Sequence, residues 1–218
     1  ASESVAREAR YAFLKQARKQ SNSIAIITAH HQDDRLETLI INLIRGTGRL
    51  GISSIGETKE IKRPLLNISR AELKNYGVRH KLNWREDPSN NDQRYLRNYV
   101  RHNLLPKISE QDKQHLVKLM NHQADLNEQI DKLVPRLLNA SDINRLSLKT
   151  LNSLPFGESS ELIATWLRLN NLAAFNRSTI ERINVAAKTK AKGARIDVYG
   201  RARVEIEDGC LALYDTER

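Results

Sequence analysis

The sequence predicts an α/β protein: a partial parallel sheet, then a helical region, then a small α+β unit. Three observations carry this. A short β-branched run, Ile24 to Ala29, leads directly into a helical stripe of Leu36, Leu39, Ile40, Leu43 and Ile44. The stretch from Ser109 to Asn139 is strongly helical. The tail alternates apolar and polar residues through Ile196, Val198, Val204, Ile206, Leu211 and Leu213.

The elements follow in order. Glu3 to Gln20 reads as a helix, with Val5, Ala9, Ala12 and Phe13 on its apolar side and Arg and Lys on the other. Ile24 to Ala29 reads as a buried parallel strand. Asp33 to Arg45 is a helix, and Gly46, Gly48 and Gly51 make a loop after it. Ile61 to Leu66 is a second strand, ending at Pro64. Ser69 and Glu72 form a capping box for a helix ending near Gly77. Asp87 to Asp92 is a loop, and a helix runs from about Gln93 to Leu105, closed by Pro106. In the long helix, Leu119, Gln123, Leu126, Ile130, Leu133 and Leu137 form a heptad-like seam. That seam suits an internal helix pair or a homodimer contact, and Pro135 should kink or end it. The second unit begins near Ser141, with helices over Ser159 to Leu169 and Ser178 to Lys188. Ser178-Thr179-Ile180-Glu181 is the expected cap of the latter, and Asp208-Gly209 the turn of a terminal hairpin.

The formal charge of +10 over 218 residues favours polyanionic partners such as nucleic acid. The single cysteine, Cys210, excludes an internal disulfide and a thiolate zinc cage. No apolar run approaches the ~18 residues of a membrane span. A cytoplasmic protein with no membrane partner is the expectation.

The densest chemistry lies in His30-His31-Gln32-Asp33-Asp34 and Glu37. At about 100° per residue, Glu37 and Arg45 fall within about 60° of Asp34, opposite the apolar stripe. A strand's carboxyl end followed by a helix start offers backbone N–H groups and a positive dipole end to a phosphate. Carboxylates there can hold Mg²⁺ or an ammonium group, and a histidine beside them can shuttle a proton. Helix capping alone accounts for Asp33 and Glu37. It does not account for two adjacent histidines followed by two adjacent aspartates. A zinc hydrolase would alternate its ligands as H-x-H-x-D-H, and this run does not. Farther on, Arg94, Arg97 and Arg101 share one face of the predicted helix, with Leu96, Val100 and Leu104 toward the core. Such a stripe contacts the phosphates of a nucleic acid, or is a solvated charged face.

Several ordered motifs over residues 5 to 106 resemble the tRNA(Ile)-lysidine synthetase family. They are ARE-ARYAFL of Ala6 to Leu14, AHHQDDRLET from Ala29, LIRGTG from Leu43, Arg63-Pro64-Leu65-Leu66, Asp87-Pro88-Ser89-Asn90, and Arg97-Asn98 with Arg101. Residues 107 to 218 match more loosely. The family belongs to the PP-loop ATP pyrophosphatases, so the resemblance implies a partial Rossmann-like parallel sheet of the PP-loop ATPase type. It implies ATP-dependent adenylation of the wobble cytidine at C2 in tRNA(Ile) with anticodon CAU, followed by displacement of AMP by free lysine. ATP and Mg²⁺ are the implied cofactors. The resemblance carries over His31, Asp34, Glu37 and Arg97 as catalytic residues. It leaves Arg45, Arg94 and Arg101 as contacts to ATP or tRNA, and assigns no particular metal ligand.

One departure stands out. The family's S-G-G-x-D-S phosphate loop has no match here, and its C-terminal tRNA-binding domain is not evident. The expectation is a central fragment, inactive alone: 1–106 an incomplete catalytic domain, 107–140 a helical connector, 141–218 a small α+β substrate- or tRNA-binding domain. Two rivals remain. A PP-loop tRNA thiolase commonly carries paired cysteines, which the lone Cys210 disfavours. A non-catalytic basic tRNA-binding scaffold leaves the acidic face at Asp34 and Glu37 unexplained.

Overall fold

The computed structural model describes residues 3–85, 87, 92, 94–137, 143–172, 175–189, 191–198 and 202–215. Pro88 to Asn91, Gln93, and the segment around Asn139 and Ser141 lie outside them. The chain divides into two compact units, Ala1–Asn127 and Glu128–Arg218.

The first unit opens with α1 (Glu3–Gln20), then β1 (Ile26–Ile27), α2 (Gln32–Ile44) and a one-turn helix α3 (Arg49–Ile52). It continues through β2 (Ile61–Lys62), α4 (Arg70–Arg79) and α5 (Leu96–Tyr99). The two strands are parallel, Ile26 opposite Ile61 and Ile27 opposite Lys62. They are shorter than their apolar runs, and the chain turns over Pro64 to Asn67 instead of continuing as a strand. Burial also differs from expectation. Ile26 is buried, but Ile27 is 73% exposed, because no described residue covers that face of the strand. On α1 the inward residues are Tyr11, Leu14 and Ala17, while Val5 and Phe13 face outward.

The core of this unit gathers Leu36 and Leu39 of α2 with Val100, Leu105, Val117 and Met120. Leu43 and Ile44, the far end of the expected stripe, are exposed. Gly46 turns the chain at φ 72°, and Gly48 caps α3. Gly51 therefore sits in a helix rather than a loop. It must be glycine, because a Cβ there would lie 1.8 Å from Thr47 Oγ1. The Ser69–Glu72 capping box opens α4 as expected.

The helix expected from Gln93 starts three residues later. It is one α-turn, α5, then a π-helical turn Val100–Leu104 and a 3-10 turn Leu105–Lys107 that contains Pro106. Arg94 thus precedes the helix and shares no helical face with Arg97 and Arg101. Its guanidinium instead pairs with Asp92 at 2.7 Å.

The unit boundary falls inside α6 (Glu110–Leu137), which runs through Pro135 for two further residues. Its seam is displaced by one residue from the predicted one. Val117, Met120, Asn127 and Val134 are buried, whereas Leu119, Leu126 and Leu133 are exposed. A count of leucines misses this face because its centre is polar: Asn127 Nδ2 donates to Arg49 O at 3.3 Å, and Asn127 Oδ1 accepts from Arg49 Nη1 at 2.9 Å.

Among its described residues, the second unit pairs a four-stranded antiparallel sheet, order β3-β6-β5-β4, with three helices and the C-terminal end of α6. The strands are β3 (Arg145–Ser147), β4 (Arg195–Val198), β5 (Ala202–Glu207) and β6 (Cys210–Asp215). The helices are α7 (Leu148–Ser153), α8 (Phe156–Leu169) and α9 (Arg177–Lys188). The alternation in β4 to β6 points Ile196, Val198, Val204, Ile206 and Leu211 into a core with Trp166, Ile163 and Ile183. Gly209 closes the expected hairpin at φ 82°. β3 and α7, too short to show a period, were not foreseen. The cap of α9 is Asn176 rather than Ser178. Its Oδ1 accepts from Thr179 N at 2.9 Å, and Glu181 instead pairs with Arg177.

Candidate active site

α2 starts where β1 ends, so its first turn sits at the carboxyl edge of the parallel pair. His31 caps the helix. Its backbone N–H donates to Asp34 Oδ2 at 3.0 Å, and its ring nitrogen accepts from Asp34 N at 3.4 Å. Histidine is an unusual N-cap, since Ser, Thr, Asp and Asn are preferred. This reciprocal pair locks the Asp34 rotamer.

One turn on, Glu37 is 1% exposed. It is not the open carboxylate expected from the helical wheel, because the π-helical turn and α5 close over it. A buried carboxylate needs compensation, and two guanidiniums supply it. Arg101 grips Glu37 in bidentate fashion, Nε to Oε1 at 2.6 Å and Nη2 to Oε2 at 3.0 Å. Arg97 Nε donates to Oε2 at 2.8 Å. Both guanidiniums then lean toward Asp34 Oδ1, Arg97 Nη2 at 3.4 Å and Arg101 Nη2 at 3.7 Å. Burial by itself lowers the Arg101 pKa. Hydrogen bonding to Glu37 and the charges of Glu37, Asp34 and Asp33 outweigh it, so the pKa ends raised.

Asp34, Arg97 and Arg101 line an open cleft of about 710 Å³, together with Arg7, Arg10 and Tyr11 of α1 and His30. Arg7 lies over the Tyr11 ring at 5.0 Å, and the buried Arg63 reaches the Tyr11 hydroxyl at 3.4 Å. The half-buried His30 has its pKa lowered. Burial is the main cause, the charges of Arg63, Arg7 and Arg97 add to it, and Asp34 opposes it. Its Nδ1 lies 2.8 Å from Thr28 Oγ1.

The fold therefore brings together Asp34, Glu37, Arg97 and Arg101, with His31 as their cap. It does not bring in Arg45. That residue is the exposed C-cap of α2, about 16 Å along the helix from Asp34. Arg94 is also apart, exposed and paired with Asp92. His30, part of the dense run, and Arg7, Arg10 and Tyr11, part of the first motif, line the cleft although the sequence assigns none of them a site role. The strand-end rule pointed equally at His30 and His31. The i,i+3 spacing of Arg7 and Arg10 is visible on the Arg- and Lys-rich side of the predicted helix. Among the described residues, no group of three or more His, Cys, Asp and Glu is placed to hold a metal ion. No helix among them is long and apolar enough to cross a membrane.

An electropositive cleft with one accessible carboxylate, at a strand's carboxyl end, suits a phosphate-bearing substrate beside a cationic one. Residues 1–108 match the family model described as the PP-loop domain. A protein of Nitrosomonas europaea named tRNA(Ile)-lysidine synthase is 34% identical over 83% of this chain and 41% of its own length. One of the same name from Legionella pneumophila strain Lens is 32% identical over 83% of this chain and 44% of its own. A third, from Francisella tularensis subsp. holarctica, is 28% identical over 97% and 55% respectively. The chain thus spans about half the length of the curated relatives it matches, or less. Through residues 1–108 it is similar to the PP-loop domain family, and it is a partial-length homologue of the tRNA(Ile)-lysidine synthases.

Proposed function

We propose that the protein containing this chain is a carbon–nitrogen ligase that joins lysine to C2 of the wobble cytidine in tRNA(Ile) with anticodon CAU. The observation that carries the reading is the Asp34–Glu37–Arg97–Arg101 centre beside the cleft, in a PP-loop homologue. In the first step the cytidine O2 attacks the α-phosphorus of ATP and pyrophosphate leaves. In the second, an amine of lysine attacks C2, its proton goes to a base, and AMP leaves with the oxygen.

Each residue has a distinct task. Arg97 faces the cleft and offsets the negative charge that builds on the phosphate. Asp34 holds the lysine ammonium before attack. Glu37 is saturated by guanidiniums, so it acts as a positioning residue for Arg97 and Arg101 rather than as a lysine ligand. His31 fixes Asp34. Arg7 and Arg10 supply further cations toward ATP or the tRNA backbone, and so would Arg45 and Arg94 at the periphery of the tRNA contact. Mg²⁺ bound to ATP phosphates needs only one or two protein carboxylates. Asp34, the carboxylate on the cleft, is the residue that would contact it, and the ion would neutralise phosphate charge. The same reading takes residues 141–218 as a substrate- or tRNA-binding unit and places the protein in the cytoplasm. It allots a homodimer contact to α6, where Leu119, Leu126 and Leu133 stand exposed seven residues apart.

The test is incorporation of labelled lysine into tRNA(Ile) bearing CAU, by the protein at the length of its relatives. ATP-dependent incorporation with one pyrophosphate per lysine is expected. No incorporation refutes the reading.

A further inference from the structure

The adjacent aspartates of α2 line different clefts. Asp34 faces the one described above. Asp33 lines a second, of about 600 Å³, walled by α4 and the segment after it. Three features of this second cleft belong together.

The first is an indole packed closely against a helix. A Cβ on Gly77 would come within 3.1 Å of Trp84 Cζ3, so the glycine lets the ring lie directly on α4. The ring is thereby fixed, yet Trp84 remains 47% exposed. The second is charge. Arg70 and Lys74 stand one turn apart on α4, and Arg85 follows Trp84 directly. None of these three cations has a carboxylate partner among the described residues. The third is position. Asp33 Oδ1 accepts from Arg70 N at 3.3 Å, which ties this cleft to the same first turn of α2 that carries Asp34.

A half-exposed aromatic ring flanked by three cations, which outnumber the cleft's carboxylates Asp33 and Asp87, is the composition of a single-stranded nucleic acid platform. The ring takes a base by stacking, and the cations track the phosphates on either side. A mobile Trp would lose much of its stacking gain to ordering, and the Gly77 contact removes that cost. Asp33 supplies an acceptor for the exocyclic amine of a base, which a phosphate-only site would not need.

We infer that this cleft binds an unpaired nucleotide of an RNA substrate by stacking on Trp84, with Arg70, Lys74 and Arg85 on its phosphates. The inference rests on the tRNA-modifying reading for the identity of the RNA and the placement beside the reacting cytidine. The stacking itself does not depend on which reaction follows.

The two tryptophans make the test direct. Trp166 is fully buried in the second unit, so indole quenching by RNA reports on Trp84. The probe is a short unstructured oligoribonucleotide, titrated into the 218-residue chain, with its own anisotropy followed in parallel. Saturable, salt-sensitive quenching is expected, absent in Trp84→Phe. Affinity should fall about tenfold in Trp84→Ala and much less in Trp84→Phe. Arg70→Gln with Lys74→Gln should flatten the salt dependence. RNA binding with unchanged Trp84 emission overturns the inference, as does full affinity in Trp84→Ala with normal thermal stability. Equal quenching by ATP alone also overturns it, in favour of a mononucleotide pocket. Quenching without lysine incorporation by the full-length protein would refute the ligase reading and leave the platform standing.

Discussion

Arg101 Nε and Nη2 reach both oxygens of Glu37, at 2.6 and 3.0 Å, so the carboxylate and the guanidinium fill one another's planar hydrogen-bonding edge. Arg97 adds a third hydrogen bond at 2.8 Å. The centre is an ion cluster in which a buried anion organises two cations. Glu37→Gln should therefore unfold more easily as well as lose activity. Two guanidiniums would lose their countercharge, at a cost of about 3 kcal/mol. The midpoint and slope of urea unfolding check this. A stability equal to wild type would mean the arginines need no anion.

Arg97→Lys keeps the charge but not the fork. A lysine cannot bond Glu37 and reach Asp34 in one plane. Lysine transfer should fall at least tenfold with stability changed by less than about 1 kcal/mol, because the position is already partly exposed. The check is kcat/KM beside a thermal melt. Activity near wild type would reduce Arg97 to a point charge.

His30 contributes a pH dependence near neutrality. Its native pKa lies below the ordinary value of 6.5, burial being the first cause. Below about pH 6.5 the unfolded chain takes the proton more readily than the folded one, so stability declines as pH falls toward the depressed native value. His30→Gln should remove that part of the decline. Urea unfolding at pH 7.5 and at pH 5.5 tests it: wild type should lose more between the two than the variant, and equal losses would refute the assignment.

What was legible in the sequence was local and periodic. The first turn of α2, the Ser69 cap and the β5–β6 hairpin follow from spacing and turn chemistry, while Arg97 beside the acidic helix came from the family resemblance. What was not legible depends on tertiary closure. The wheel put Glu37 on an open face because it cannot see a second helix folding over that face. Asn127 was invisible as a core position because it is polar, and only its bonds to Arg49 justify its burial. The Arg94 stripe failed because the helix began after it, where Asp92 offered a nearer partner. The α1 arginines needed the cleft itself to be given a site role.

The account turns most directly on Asp34. Its oxygens face the cleft and accept from His31 N–H, a bond that asparagine Oδ1 preserves. In Asp34→Asn, at the length of the relatives, single-turnover incorporation of labelled lysine into tRNA(Ile) should fall at least a hundredfold, about 3 kcal/mol of transition-state stabilisation, with melting temperature and RNA affinity unchanged. Incorporation at the wild-type rate would contradict the account and leave this acidic turn as a helix cap.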